Sequence, residues 1–416
     1  MLGWRTVGWL AVVAALMAPG CWLQSGFDQR RSSNNAGETA VTAAKVGSLA
    51  KAWEVAGASA GGDPVVNGGT AYLSTGTTVE ARNLATGAAR WSAPVADVES
   101  LAIGGGHIWA AAADTGCSLT ALAPATGATV ATLGFGGNAF DFGSNGRSYC
   151  GISEGLVRGN TVVISWSYFG AALARGSCFP NFTYQTGSGT GTVDAETGEL
   201  ISETGGVGSP GCAPASADPA NTLSSDGNVV YMPSGNQIVR IGLCSGQACA
   251  PLTLPAGVSA GGVVVPADGG RLVLTGGNQL LVLSAATGAV QWSAPFTPST
   301  FSAPAVTATT IYVTGADGVV AAFPLAGCGA ATCSPSWSDT SSGEVSGAPR
   351  VGGDVVYVAG GQGNEVRAYA AGGCGASSCA PVATIDLGGP SYISPVIDSG
   401  TLFVQEGGGV AAYRLP

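Results

Sequence analysis

The stretch GGTAYLSTGTTVEARNLATGAARW, residues 68–91, decides the fold. Thr70 to Leu73 read as a half-buried strand, Gly76 marks a turn, and Val79 to Leu84 read as a second strand. Thr86 and Gly87 then turn the chain into Ala88 to Trp91, and glycine suits that turn because it takes a positive φ without a Cβ clash. DPVVN, residues 63–67, supplies one more strand ahead of the stretch, which makes four per unit. Four short strands repeated at about 40 residues is the pattern of β-propeller blades.

Aligning one aromatic or branched residue of the second strand of each unit gives Tyr72, Trp109, Val163, Tyr231, Val273, Tyr312, Tyr357 and Phe403, and hence eight units. The intervals from Trp109 to Val163 and from Val163 to Tyr231 are swollen by insertions. A chain of 416 residues with 46% hydrophobic residues has length enough for several domains, but the continuous repeat argues for one. The 68 glycines fit short strands and tight turns, and no long 3.6-residue period interrupts them. The expected fold is all-β, an eight-bladed propeller of four-stranded antiparallel blades. The last unit, Ser391 to Pro416, stops after its third strand at Tyr413 to Leu415, while Ala52 to Val55 is an orphan strand carrying a Trp where other fourth strands end. Pairing the two closes the ring with an N-terminal strand and leaves no edge to protect.

The net charge of -10, only 10% charged residues and the absence of a basic stripe disfavour nucleic acid as a partner. Recognition by such a surface has to rest on aromatic and hydrogen-bonding groups.

Arg5 precedes an apolar run from Val7 to Met17, too short to span a bilayer and fit for the core of an export signal. It ends in Ala18-Pro19-Gly20-Cys21, which resembles a bacterial lipobox and so implies lipidation of Cys21, although Ala18 stands where leucine is preferred and an ordinary cleaved signal with Cys21 left free is the alternative. Residues 1–20 are therefore expected to be a lipoprotein signal peptide, 21–51 an extended lead-in or tether, and 52–416 the propeller.

The order of Trp22, Gln24, Asp28, Asn35, Glu38, Val46, Leu49 and Trp53 resembles the opening of pyrroloquinoline-quinone-type (PQQ-like) propellers, with Lys45 where that family has Asn. Ala81, Asn83, Thr86, Gly87 and Trp91 match the family's blade motif, and Thr287, Gly288 and Trp292 repeat its second half. The resemblance covers Trp22 to Pro416 and implies that each Trp packs on the turn of the neighbouring blade. It is weak for activity, because the group holds both quinone dehydrogenases and non-catalytic envelope lipoproteins of outer-membrane assembly (BamB-like).

Eleven cysteines carry a second signal. Cys244 and Cys249, Cys328 and Cys333, and Cys374 and Cys379 form C-x4-C where other units have the Thr-Gly turn, and read as hairpin staples worth about 2 kcal/mol each. A zinc reading wants C-x2-C knuckles and histidine, and the only histidine is His107. Cys117 with Cys150 and Cys178 with Cys212 begin and end in loops that a propeller puts on one face, so they pair, each contributing about 4 kcal/mol. Cys21 is left alone, as lipidation requires, and five disulfides place the chain outside the cytoplasm.

No catalytic residue, cofactor or metal is predicted. His107 has no nucleophile motif beside it, and Asp226-Gly227, Asp268-Gly269 and Asp317-Gly318 read as hairpin turns rather than calcium loops. Quinone dehydrogenases of the resembling group use adjacent cysteines over the cofactor and an acidic calcium site beneath it, and this chain has no adjacent cysteines. Ten aromatic residues crowd between Phe135 and Tyr184. Trp166 and Tyr168 share a strand face and read as core, whereas Phe140, Phe142, Phe179 and Tyr184 are the candidate binding face, the alternative being that the aromatic residues only pack the insertion onto blades two and three as a small satellite core. The expectation is an exported, lipid-anchored, monomeric propeller that is not an enzyme and binds an envelope protein, peptide or glycan through one loop face. The alternative is a quinoprotein dehydrogenase.

Overall fold

The computed structural model describes residues 21–56, 62–113, 116–135, 146–173, 182–207, 223–244, 246–260, 262–297, 303–315, 317–340, 345–360, 363–391 and 393–416. The expected signal peptide lies outside them. Blade 1 is the four-stranded sheet Val65–Asn67, Thr70–Ser74, Thr78–Asn83 and Ala89–Pro94, each strand paired antiparallel with the next. The same order recurs around the ring, so the expected eight-bladed, all-β propeller is the fold. All eight residues aligned above fall in second strands, and Tyr72, Trp109, Tyr231, Tyr312 and Phe403 stand opposite Val65, Ala102, Ser224, Ala305 and Val396 of the inner strands. One register therefore serves these five blades. In blade 3 the second strand is extended to Thr161–Leu173, and two inner segments, Gly146–Ile152 and Leu156–Arg158, pair along it.

One detail of the sequence reading changes. Thr70 to Leu73 read as half-buried, but the strand runs over Thr70–Ser74 and all five of its residues are buried, because blades pack face to face and cover both sides of a second strand. Alternation survives in the third strand Thr78–Asn83, and in the outer strand Ala89–Pro94 the sheet meets water.

The ring closes as expected, with small shifts of boundary. The closing strand is Ala50–Val55, and it pairs with Gly409–Arg414 from Ala50 opposite Arg414 to Val55 opposite Val410. A bulge between Lys51 and Trp53 keeps the first two residues in the ladder, so the strand starts ahead of Ala52. The short 3-10 turn Val46–Ser48 precedes it where other blades have their third turn.

Blades are tied by the tryptophans in the way that the resemblance implied. A Cβ added at Gly87, Gly127, Gly327 or Gly373 would lie 2.6, 2.5, 2.7 or 2.6 Å from the ring of Trp53, Trp91, Trp292 or Trp337 of the preceding blade. The indole N–H of Trp53, Trp91 and Trp292 donates to the carbonyls of Leu84, Pro124 and Leu325 in those turns. Glycine is needed twice over at these turns, for its positive φ and for the missing side chain.

Disulfides join Cys244 to Cys249, Cys328 to Cys333, Cys374 to Cys379 and Cys117 to Cys150. The expected Cys178–Cys212 pair lies outside the described residues. Two of the stapled turns also clasp the neighbouring blade. Ser293 N–H donates to Ala331 and Cys333 N–H to Ser293, while Ser338 N–H donates to Ser377 and Cys379 N–H to Ser338. Each turn thus adds backbone pairing to an outer strand that would otherwise present a bare edge.

Candidate functional site

Antiparallel blades give the ring two faces. One carries the turns from first to second and from third to fourth strands, here the turn face. The other carries the remaining connections, here the loop face.

At the turn face the lead-in visits every blade in order. Backbone N–H groups of Val66, Ile103, Ser225, Val265, Val306 and Val351 donate to the carbonyls of Trp22, Leu23, Gln29, Arg30, Ser32 and Ser33 at 2.7, 2.7, 2.7, 3.0, 2.8 and 2.8 Å. In blade 3 Val157 N–H donates to Gln24 Oε1 at 2.8 Å, and in blade 8 Asn35 Nδ2 donates to the Ile397 carbonyl at 3.0 Å. Residues 22–35 therefore run around the channel mouth. Trp22, Val41 and Val46 are fully buried, so the segment expected to be a tether is packed into the ring. A stretch of few apolar residues reads as solvated, but its carbonyls here complete the hydrogen bonding of the inner strands.

Charged groups gather beneath this lacing. Arg31 pairs with Glu154 and donates to the Leu223 and Ser25 carbonyls. Arg350 donates to Asp63 Oδ2 at 2.7 Å and Ser33 Oγ at 2.6 Å, and its guanidinium carbon lies 5.5 Å over the Trp22 ring. Asp63 also accepts from Ser25 Oγ and Gly26 N–H. Glu38 accepts from the N–H groups of Ala40, Val41 and Gly400, and Asp398 accepts from Trp22 N–H and Ser399 Oγ. Sequence reasoning missed this network, although in so charge-poor a chain Arg31, Asp63, Glu154 and Arg350 stand out.

Burial pushes the Asp398 carboxyl up to about 6, aided by the charge of Glu38 and opposed by the Ser399 and Trp22 hydrogen bonds. The folded ring thus holds a proton that the unfolded chain releases above the usual carboxylate value. Stability should fall as pH rises from about 4 through about 6, by on the order of 2–3 kcal/mol from this group. Urea midpoints across that range, compared between the wild type and Asp398→Asn, should show the variant flatter; parallel curves would count against the assignment.

On the loop face, the Cys117–Cys150 bond joins blade 2 to blade 3. Phe135, Trp166 and Tyr168 are buried in one cluster with both cysteines, so this part of the aromatic excess is core. Of the candidate binding residues, Phe140, Phe142 and Phe179 lie outside the described residues. Tyr184 stands in Phe182–Asp194 opposite Ala171. A groove of about 500 Å³ opens on this face between blades 5 and 6, floored by Phe296, Val319 and Phe323 and rimmed by Asn278, Thr297 and Asp317.

His107 is structural in its contacts: Nδ1 lies 3.1 Å from the Ala195 carbonyl and the ring packs edge-on against Trp109. Asp226 accepts from the N–H groups of Asn228 and Val229, and Asp268 from Gly270 N–H, as the turn reading requires. Among the described residues no three His, Cys, Asp or Glu side chains come together in a way that would hold a metal.

The residues present do not fit the quinone that the fold invites. No two cysteines are adjacent to cover it. The carboxylates at the channel mouth are engaged by the lead-in.

Residues 189–327 match the family model described as outer membrane protein assembly factor BamB. No curated protein matches the chain. The ring is similar to a europium-containing methanol dehydrogenase, at 14% identity over 93% of this chain and 89% of that one, with a TM-score of 0.64. It is similar to BamB from Moraxella catarrhalis at 13% identity over 88% and 97%, with a TM-score of 0.58. It also resembles the computationally designed Ika8 protein at 11% identity over 88% and 99%, with a TM-score of 0.63. At these identities the likeness shows the fold alone.

Proposed function

We propose that this chain is an exported, monomeric binding or scaffolding module of the bacterial cell envelope, held by lipid on Cys21, and that it recognises an envelope protein, peptide or glycan through its loop face. The observation that carries this reading is the channel mouth. Asp63, Glu154, Glu38 and Asp398 all accept hydrogen bonds from the protein itself, so they are committed to structure rather than offered to a substrate. The disulfides add an oxidising compartment. Aromatic insertions on a face braced by the Cys117–Cys150 bond offer large contact area at low entropic cost.

Two expected results test it. Cys21→Ser should move the protein from the membrane to the soluble exported fraction, and unchanged partitioning would remove the anchor. Replacing Phe140, Phe142, Phe179 and Tyr184 together by Ala should abolish capture of the partner that the wild type retains on its own membrane, with Tm nearly unchanged. A large loss of Tm would make these residues core, as Trp166 and Tyr168 are.

A further inference from the structure

We infer that the turn face is seated directly on the lipid surface, with the loop face pointing away from the membrane. The inference rests on lipid at Cys21 and adds what the sequence motif does not contain, the orientation of the ring. Cys21 is half-buried at the turn face, with Sγ beside Asn67 at the end of the first strand of blade 1. The next residue, Trp22, is fully buried, and its N–H is held by Asp398 at the equivalent end of blade 8. Adjacent Cα atoms are roughly 3.8 Å apart, so one peptide bond is all that separates the lipid from the core. The ring has no slack on which to stand off or turn over.

The exposed apolar side chains point the same way. The large hydrophobic residues most exposed among the described ones are Val130, Leu200, Ile201, Val290 and Val382, each between 44% and 56% exposed. All five stand at or beside the start of a fourth strand, in Thr129–Phe135, Leu200–Val207, Val290–Pro295 and Ala383–Asp386. In an antiparallel blade that position is the rim of the turn face. Blades 2, 3, 5 and 7 thus carry an apolar rim around the face through which the chain enters at Cys21. Arg90 takes the corresponding place in blade 1, where a long cationic side chain can lie along an interface with its charge in water, and in blade 8 that place is held by Lys51, paired with Glu54 and Glu406. Three of the third-to-fourth-strand turns within the rim carry no charge, Ala85-Thr86-Gly87-Ala88, Ala125-Thr126-Gly127-Ala128 and Ala286-Thr287-Gly288-Ala289, while Asp194, Glu196 and Glu199 stand in that turn of blade 3 and Arg158, Asp226, Asp268, Arg271 and Asp354 at first-to-second-strand turns. With a net charge of -10 the contact is apolar rather than electrostatic, and a zwitterionic bilayer is the surface that it fits.

The test uses the full exported protein, purified with its lipid and reconstituted into phosphatidylcholine vesicles carrying headgroup spin-labelled lipid. A fluorophore introduced at Val130 or Ile201 on the rim is compared with one at Thr77 or Ala96 on the loop face. Rim labels should be quenched several-fold more than loop-face labels, with no loss on adding salt. A variant with Val130→Glu, Leu200→Glu, Ile201→Glu and Val290→Glu should keep its lipid and Tm while quenching of a label at Val382 drops. Mass spectrometry that finds no lipid on Cys21 overturns both the anchor and this inference. Lipid on Cys21 with equal quenching on the two faces, or rim labels shielded by a bound protein rather than by lipid, overturns the orientation alone.

Discussion

A chain that begins at Ala56 is expected not to fold cooperatively. It lacks Ala50–Val55 and so leaves Gly409–Arg414 as an unpaired edge in the last blade. It also lacks Trp22, Val41, Val46 and Val55, all buried in the cluster shared by blades 1, 7 and 8. At about 2 kcal/mol for each buried apolar side chain the loss is about 8 kcal/mol, on the scale of the whole stability of a domain. A chain beginning at Leu49 keeps the closing strand and Val55 but loses the lacing together with Trp22, Val41 and Val46, so it should fold with an intermediate urea midpoint. Equal midpoints for that chain and the full one would mean that the lacing contributes nothing.

The second large effect is expected at Arg350. Arg350→Met removes the cation that faces Asp63, a carboxylate only 5% exposed that keeps just the Ser25 hydroxyl and the Gly26 N–H. Stranding a buried charge costs about 3–5 kcal/mol, far more than losing a surface pair. Asp63→Asn in the same chain should recover much of that loss, because an amide needs no cation. A double-mutant cycle by urea denaturation measures the coupling, and additive losses would show that the pair is not interacting.

The repeat was legible because a blade is local: Thr86-Gly87 and Trp91 recur with their neighbours, and second-strand residues such as Tyr72 and Phe403 mark the units. The closing strand was legible as well, since Trp53 stands where a fourth strand needs its Trp. The path of residues 22–35 was not, because its partners Val66, Ile103, Ser225 and Val306 lie in separate blades and meet it through backbone groups, which leave no trace in side-chain pattern. The clasp made by Cys333 and Cys379 on the preceding blade was hidden for the same reason: cysteine spacing gives a pairing but not where the turn docks. Phe135, Trp166 and Tyr168 show the ambiguity of an aromatic excess, which a core and a binding face both use.

Amide hydrogen exchange tests the central claim, that the chain's own amino-terminal segment laces the inner strands around the channel mouth, most directly. In the full protein the N–H groups of Val66, Ile103, Ser225, Val265, Val306 and Val351 should exchange only with global unfolding. In the chain beginning at Leu49 the same amides should exchange orders of magnitude faster, while second-strand amides such as that of Tyr357 stay protected. Fast exchange of these six amides in the full protein, or no change on truncation, would contradict the account.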